Sequence, residues 1–332
     1  MDNIDGKQAR RTGTSSPLGE LFESVNVLPS RQHSANPFSH GIDSLNCTLA
    51  SLLETSAMAI GPTPLGAFTA LVPCLPMFFS TWETYHTHTL YLGYCNGPTE
   101  GLILASTIMI ISAIYGAQVW SLPIASLFGN ERLLGTTSVL DIWAPILIGS
   151  LCLTHIPDCV INVVRARRAK NLPVLPVFLE WTPLAVFTAA LSAWLGSPWS
   201  ALLKDNHLTL LCLTLSFVFG RMTTKIILAH LTRQPFPYWT VLLAPLIGGA
   251  VLVNLPRVGL PAISSNIEYR YLQAYFVFAT AVYFRWAIKV INAICTFLGI
   301  NCLTIPADKW TLPKEQEEGQ KAQKDVANGK AA

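Results

Sequence analysis

The chain has 332 residues, 51% hydrophobic and only 12% charged, roughly half the charged fraction of a soluble domain. Its apolar residues gather into eight blocks near the length of a bilayer crossing, which excludes a large soluble helical protein because almost no soluble surface would remain. A net charge of +3 without a basic stripe and interleaved aromatics also excludes a nucleic-acid-binding chain.

The N-terminus, Met1-Asp-Asn-Ile-Asp5-Gly-Lys-Gln-Ala-Arg10, is polar and charged and does not read as a cleavable signal peptide. Asp2 and Asp5 are three apart, so on a helix they share a face, with the small residues Gly6 and Ala9 on or near it. Two carboxylates over a small-residue floor leave room for a hard cation and a phosphate, the ligand set magnesium prefers. Arg10 suits the phosphate. The same spacing also suits a solvated helix end, whose acidic residues favour its N-terminus. Spacing alone leaves both readings open.

The apolar blocks follow at 44–61, 63–82, 100–118, 141–164, 175–196, 207–230, 237–254 and 272–299. They predict an all-α, polytopic integral membrane helix bundle with about eight spans, occupying 44–299. Glu54 weakens the first block and prolines punctuate the second. Prolines and glycines in 63–82 and 237–254 kink their helices or open lateral room for acyl chains, kinking being the simpler reading.

His86 and His88 stand beside Trp82 and Tyr85, where interfacial packing is favoured over chemistry. Glu100 opens the third block, and an acid at that place is a functional candidate by its cost. A solvated helix-start acid is the other reading.

Positive charge gathers at Lys7, Arg10 and Arg11, at Arg165, Arg167, Arg168 and Lys170, at Arg221, Lys225 and Arg233, and at Arg285, Lys289 and the tail. Eight spans put all of these on one side, leaving Arg132, Lys204, Arg257 and Arg270 on the other. The positive-inside rule then places both termini in the cytosol. Residues 306–332 read as a disordered cytosolic tail. The eight cysteines, none in a CxxC pair, read as buried reduced thiols. Asn46-Cys47-Thr48 matches the glycosylation pattern but falls at the cytosolic start of a span, so it is expected to be unused.

Asp2-x-x-Asp5-Gly6-x-x-Ala9-Arg10, then eight residues, then Gly19, resembles the CDP-alcohol phosphotransferase signature, which continues with two more aspartates. Gly19-Glu-Leu-Phe22, His40-Gly-Ile-Asp-Ser-Leu-Asn46 and the run from Pro73 to Gly93 are similar to the choline/ethanolamine phosphotransferase branch. The resemblance covers the chain from Met1 to about residue 305. It implies a fold of about ten spans. Two of those lie upstream of the motif in family members, so the expectation is a chain whose first two spans are missing.

The pattern breaks after Phe22, where the family has Asp-His-Gly. Residues 23–39 intervene before His40-Gly41. Replacing them with one Asp restores the helical spacing, with Gly19, that Asp and Asp43 at i, i+4 and i+8. If Glu23 is GAG, Ser24 begins with U, and Ser39 is AGC or AGU, the segment has GU and AG ends and its removal leaves an Asp codon. A retained in-frame intron is the expected cause; a genuine loop insertion is its rival. The motif thus spans 1–22 and 40–46, with 23–39 as the insert.

The resemblance implies transfer of phosphocholine or phosphoethanolamine from CDP-choline or CDP-ethanolamine to diacylglycerol, giving phosphatidylcholine or phosphatidylethanolamine and CMP. By position, Asp2, Asp5 and Asp43 are metal ligands for Mg2+ or Mn2+, and Gly6, Ala9, Arg10 and Gly19 shape the nucleotide site. Asp43 and Glu100 are the candidate catalytic bases. The resemblance further implies membrane lipid as a partner, residence in the endoplasmic reticulum or Golgi with the motif cytosolic, and a homodimer. With one ligand displaced, weak or absent catalysis is expected of the chain as written. A second reading is a catalytically inactive scaffold or partner of an intact phosphotransferase. A third, a transporter of another class, leaves the aspartate spacing unexplained. Transcripts sequenced across residues 22–41 are expected to join Phe22 to a single Asp and then His40; an abundant message carrying 23–39 unspliced ends the intron reading.

Overall fold

The structure, a computed structural model, describes residues 40–87, 98–128 and 136–298. Two compact units divide the chain: His40–Phe284, and a second unit of Met1–Ser39 with Arg285–Ala332. In the second, only the helical residues 285–298 are described, so the insert and the C-terminal tail lie outside the described residues. Every contact that follows lies within His40–Phe284.

The described residues are mostly helical, with no β-strand among them beyond an isolated bridge between Pro123 and Ser138. The helices are α1 (His40–Ala57), α2 (Pro64–Leu71), α3 (Cys74–Thr87), α4 (Pro98–Tyr115), α5 (Ile124–Phe128), α6 (Val139–Ser150), α7 (Ile156–Ala169), α8 (Thr182–Leu195), α9 (Leu208–Leu231), α10 (Leu243–Val253) and α11 (Ser265–Leu298). Each expected span falls on one of these helices or on a joined pair. Pro64–Thr87, Val139–Ala169, Leu175–Leu195, Leu208–Leu231 and Ser265–Phe297 are long and apolar enough to cross a membrane, and Ile103–Tyr115 and Leu243–Val253 are shorter apolar helices. The protein is an integral membrane helix bundle. Large apolar side chains such as Leu153 at 79% exposure and Val277 at 66% face outward, as lipid requires of a surface without water.

Prolines set the breaks within the spans. Thr63 caps α2 by accepting the Gly66 N–H at 3.0 Å, with Pro64 in the first turn, where its missing N–H costs nothing. Gly61 adopts φ +62°, and a side chain on Gly66 would strike the Gly61 carbonyl. The α1–α2 reversal therefore needs both glycines. Pro73 then separates α2 from α3, which is why the 63–82 block is two helices. Pro157 has a similar effect between α6 and α7. It offers no N–H to the turn before it, and over Leu151–His155 the ladder widens to a π turn, in which the Ile156 N–H reaches Leu151 O.

The closest helix pairing is α1 on α9. Ser44, Thr48, Ser51 and Thr55 repeat at helical spacing and are all buried, at 0, 0, 4 and 1% exposure. Opposite them stand Cys212, Ser216 and Gly220, each four residues from the next. Thr48 Oγ1 donates to Cys212 O at 3.3 Å, Ser216 Oγ donates to Leu45 O, and Leu45 packs directly over Gly220. Small residues let the two backbones approach, and the approach brings hydroxyls onto carbonyls. Cys74, Cys159 and Cys212 are buried, as the reduced-thiol reading expects, whereas Cys152 is exposed, against it.

At the opposite end of α9, Glu268 at 2% exposure accepts from Trp194 Nε1, Ser200 Oγ and the Ala201 N–H, each at 2.8 Å. This carboxylate fastens the loop between α8 and α9 to the start of α11. Gly220→Ile is expected to cost about 1–3 kcal/mol by overpacking the α1–α9 seam against Leu45, read as loss of thermal stability of the detergent-purified chain; Ser192→Ala, on an exposed face, is expected to leave stability unchanged.

Candidate functional site

The α1–α9 seam is antiparallel: Leu45 meets Ser216 and Gly220, and Thr48 meets Cys212. Asp43, in the first turn of α1, therefore lies level with the turn of α9 after Gly220. That turn carries Arg221 and Lys225, one turn apart and both partly buried. Lys225 Nζ donates to Trp239 O at 2.7 Å. The sequence counted these cations only as orientation signals; the fold sets them level with Asp43.

The same end of the bundle holds a polar cluster around the end of α3. Glu180 lies in the short helix Leu175–Trp181, at 7% exposure. Its Oε2 accepts from Trp82 Nε1 at 2.9 Å and from His86 Nε2 at 2.6 Å. Trp82 and His86 are four apart on α3, so they share the face turned to Glu180. His86 also sits edge-on to Trp82 at 5.8 Å and to Tyr85 at 5.0 Å. The packing reading of His86 therefore holds, and the structure adds the carboxylate. A buried carboxylate is costly unless it is paired and hydrogen-bonded, and here the indole and imidazole supply both.

The next face of α3 carries Glu83, at 2% exposure, whose Oε1 accepts from Asn162 Nδ2 on α7 at 2.7 Å. Deeper along the same interface, His155 leaves the π turn and donates from Nε2 to Pro76 O at 3.0 Å, with Ser80 Oγ at 3.3 Å and Cys159 Sγ at 3.7 Å. The π turn rotates His155 into α3. Outward, Lys170 Nζ donates to His86 O at 3.3 Å, Tyr85 OH donates to Gln234 O at 2.9 Å, and His230 Nδ1 lies 3.4 Å from Tyr85 O. The ends of α3, α7 and α9 are thereby tied together, with exposed Arg165, Arg168 and Lys170 around them.

Of the residues singled out in the sequence, Asp43 lies in the first turn of α1 and Glu100 in that of α4. Asp2, Asp5, Gly6, Ala9, Arg10, Gly19 and His88 lie outside the described residues. Ile108 of α4 packs with Met58 and Ile60 beyond the far end of α1. Among the described residues no group of three or more His, Cys, Asp or Glu side chains could hold a metal ion. Glu180 and Glu83 were missed in the sequence. The available signal for Glu180 was an acid inside an apolar block, akin to the ground on which Glu100 was chosen; Glu83 falls one residue past the 63–82 block.

No known family model matches the chain. An uncharacterized CDP-alcohol phosphatidyltransferase class-I family protein of Schizosaccharomyces pombe is 31% identical over 316 residues, covering 92% of this chain and 74% of that protein. Choline/ethanolaminephosphotransferase 2 of Arabidopsis thaliana is 31% identical over 314 residues, 92% and 75% of the two chains. Choline/ethanolaminephosphotransferase 1 of Saccharomyces cerevisiae is 27% identical over 338 residues, 94% and 76%.

Glu180→Ala is expected to leave the Trp82 and His86 N–H groups without their acceptor, at a cost of about 1–3 kcal/mol, measured as a drop in melting temperature of the purified chain; Glu180→Gln, which keeps an acceptor oxygen, is expected to lose less.

Proposed function

Because this chain belongs to the CDP-alcohol phosphatidyltransferase class-I family, we propose that it transfers phosphocholine or phosphoethanolamine from the CDP ester to the free hydroxyl of diacylglycerol, releasing CMP. The observation that carries this reading is the Asp2-x-x-Asp5-Gly6-x-x-Ala9-Arg10…Gly19 spacing, in a chain whose similar proteins include choline/ethanolaminephosphotransferases over nine-tenths of its length. An apolar helix bundle suits an acceptor that arrives through the bilayer. The polar end at Asp43 suits a nucleotide donor that arrives from water.

Asp2, Asp5 and Asp43 are assigned as ligands of Mg2+ or Mn2+, an oxygen-only donor set that fits a hard divalent cation. The bound ions would neutralise charge on the diphosphate. Gly6, Ala9 and Gly19 would let the CDP group approach the backbone closely, and Arg10 would pair with a phosphate oxygen. Arg221 and Lys225, level with Asp43, add positive charge where the diphosphate would lie. Asp43 or Glu100 would accept the proton of the diacylglycerol hydroxyl. That oxygen then bonds to the head-group phosphorus as its bond to the CMP oxygen breaks, and CMP leaves with the electron pair. The membrane is assigned as the endoplasmic reticulum or Golgi, with the motif and both termini cytosolic. A homodimer is the assembly the family resemblance favours.

The break at residues 23–39 favours a second reading, a catalytically silent membrane partner of an intact phosphotransferase. Membranes carrying this chain, and a version with 23–39 replaced by Asp, are to be given diacylglycerol with CDP-choline or CDP-ethanolamine. The repaired chain is expected to release CMP and form phospholipid, to stop when divalent ions are chelated, and to resume with Mg2+ or Mn2+. Asp43→Asn is expected to lower its rate at least about a hundredfold. No product from either chain, with an intact phosphotransferase co-purifying, would favour the silent partner.

A further inference from the structure

A cavity of about 480 Å³ opens between α2–α3 and α8, within the size range of small-molecule pockets. Its walls are apolar, with Leu71 and Leu75 on one side and Phe187, Leu191 and Leu195 on the other. No charged residue is among its lining residues, and the hydroxyls there belong to Thr188 and Ser192. Thr188 Oγ1 already donates to Leu184 O at 2.9 Å. Such a lining can recognise no head group or nucleotide; it matches hydrocarbon. Both walls belong to segments long and apolar enough to span a membrane, and Ser192 at the rim is exposed. The opening therefore faces bilayer interior, where acyl chains are the available ligand.

The depth of the cavity selects the leaflet. From Leu75 to His86 is eleven residues of helix, about 16 Å, and the hydrocarbon core is about 30 Å thick. The rim end of the cavity, at Leu195, Gly196 and Leu203, thus lies in the half of the bilayer away from the Glu180–His86 and Asp43 end, while its floor at Phe187, seven residues along from Glu180, reaches back towards that end. Its rim is the α8–α9 loop, in which Leu203 joins the lining and the next residue, Lys204, is exposed. Glu268 holds this loop through Ser200 and Ala201, and its two oxygens are engaged by donors rather than by Lys204. Trp199, at 39% exposure in the same loop, is a residue type that settles at the membrane interface. The loop thus presents the Lys204 ammonium, with exposed Asp205 as its chain neighbour, above an acyl-sized cavity.

We propose that this cavity binds one acyl chain of a glycerophospholipid from the leaflet opposite Asp43, with the lipid phosphate at Lys204. The site is separate from the transfer reaction and stands whether or not that reading holds.

The test uses the purified full chain in detergent micelles free of phospholipid, into which a phosphatidylcholine with a photoactivatable acyl chain is titrated, and in parallel a photoactivatable diacylglycerol. Adducts are mapped by peptide mass spectrometry. Labelling by the phosphatidylcholine is expected on the Leu71–Leu75 and Leu191–Leu195 segments, saturating as the probe fraction rises, while outward residues such as Leu153 label in linear proportion. Ser192→Phe, which places a ring in the mouth, is expected to lower pocket labelling by about tenfold, and Lys204→Glu by about threefold, the size of one exposed ion pair. Linear labelling of the pocket at the yield of Leu153, or labelling by diacylglycerol alone, overturns the proposal. Should Ser192→Phe not fold, saturation in the unchanged protein decides.

Discussion

The arrangement of this protein depends on how closely α1 approaches α9. In hydrocarbon, burying apolar surface does not drive helices together, because lipid is as apolar as the side chains. What holds α1 is a stripe of Ser44, Thr48, Ser51 and Thr55 against Cys212, Ser216 and Gly220, where small side chains allow hydroxyl-to-carbonyl contacts across the interface. The same stripe makes α1 the least apolar of the expected spans. That interface also sets Asp43 level with Arg221 and Lys225, so the proposed nucleotide end inherits its geometry from a packing decision made along the helix axis.

Three buried carboxylates extend this logic. Glu83, Glu180 and Glu268 are at 2, 7 and 2% exposure, and each accepts at least one N–H or O–H from a distant part of the chain. Burying a charge is expensive, and breaking its pairing is more so. Each carboxylate therefore acts as a clamp between elements distant in the chain. Glu83 and Glu180 gather α3, α7 and the Leu175–Trp181 turn at one end of the bundle. Glu268 gathers α8, α11 and the loop between α8 and α9 at the other. The two ends differ in kind: one is rich in cations and titratable groups, while the other encloses an acyl-sized apolar cavity under a fixed loop.

The sequence by itself determined the class of the protein and the place of its spans. Apolar blocks about as long as the bilayer is thick can satisfy their backbone only as helices there, so block length and composition were enough. It also carried the family resemblance, because the aspartate motif is local text whose spacing survives without any knowledge of contacts. The favoured packing of His86 beside Trp82 and Tyr85 was legible for the same reason: those residues are within four positions of it.

Only the tertiary structure decided what lies beyond local range. The Pro73 break and the π turn before Pro157 depend on how each freed backbone group finds a partner in space. Glu180 is 94 residues from His86 and 98 from Trp82, and Glu268 is 74 from Trp194. No periodicity links such partners, since side chains that meet across helices are set by crossing geometry and not by sequence spacing. Arg221 and Lys225 make the point most directly. In the sequence they were orientation charges; once Gly220 admits Leu45, they stand beside the first turn of the helix that carries Asp43.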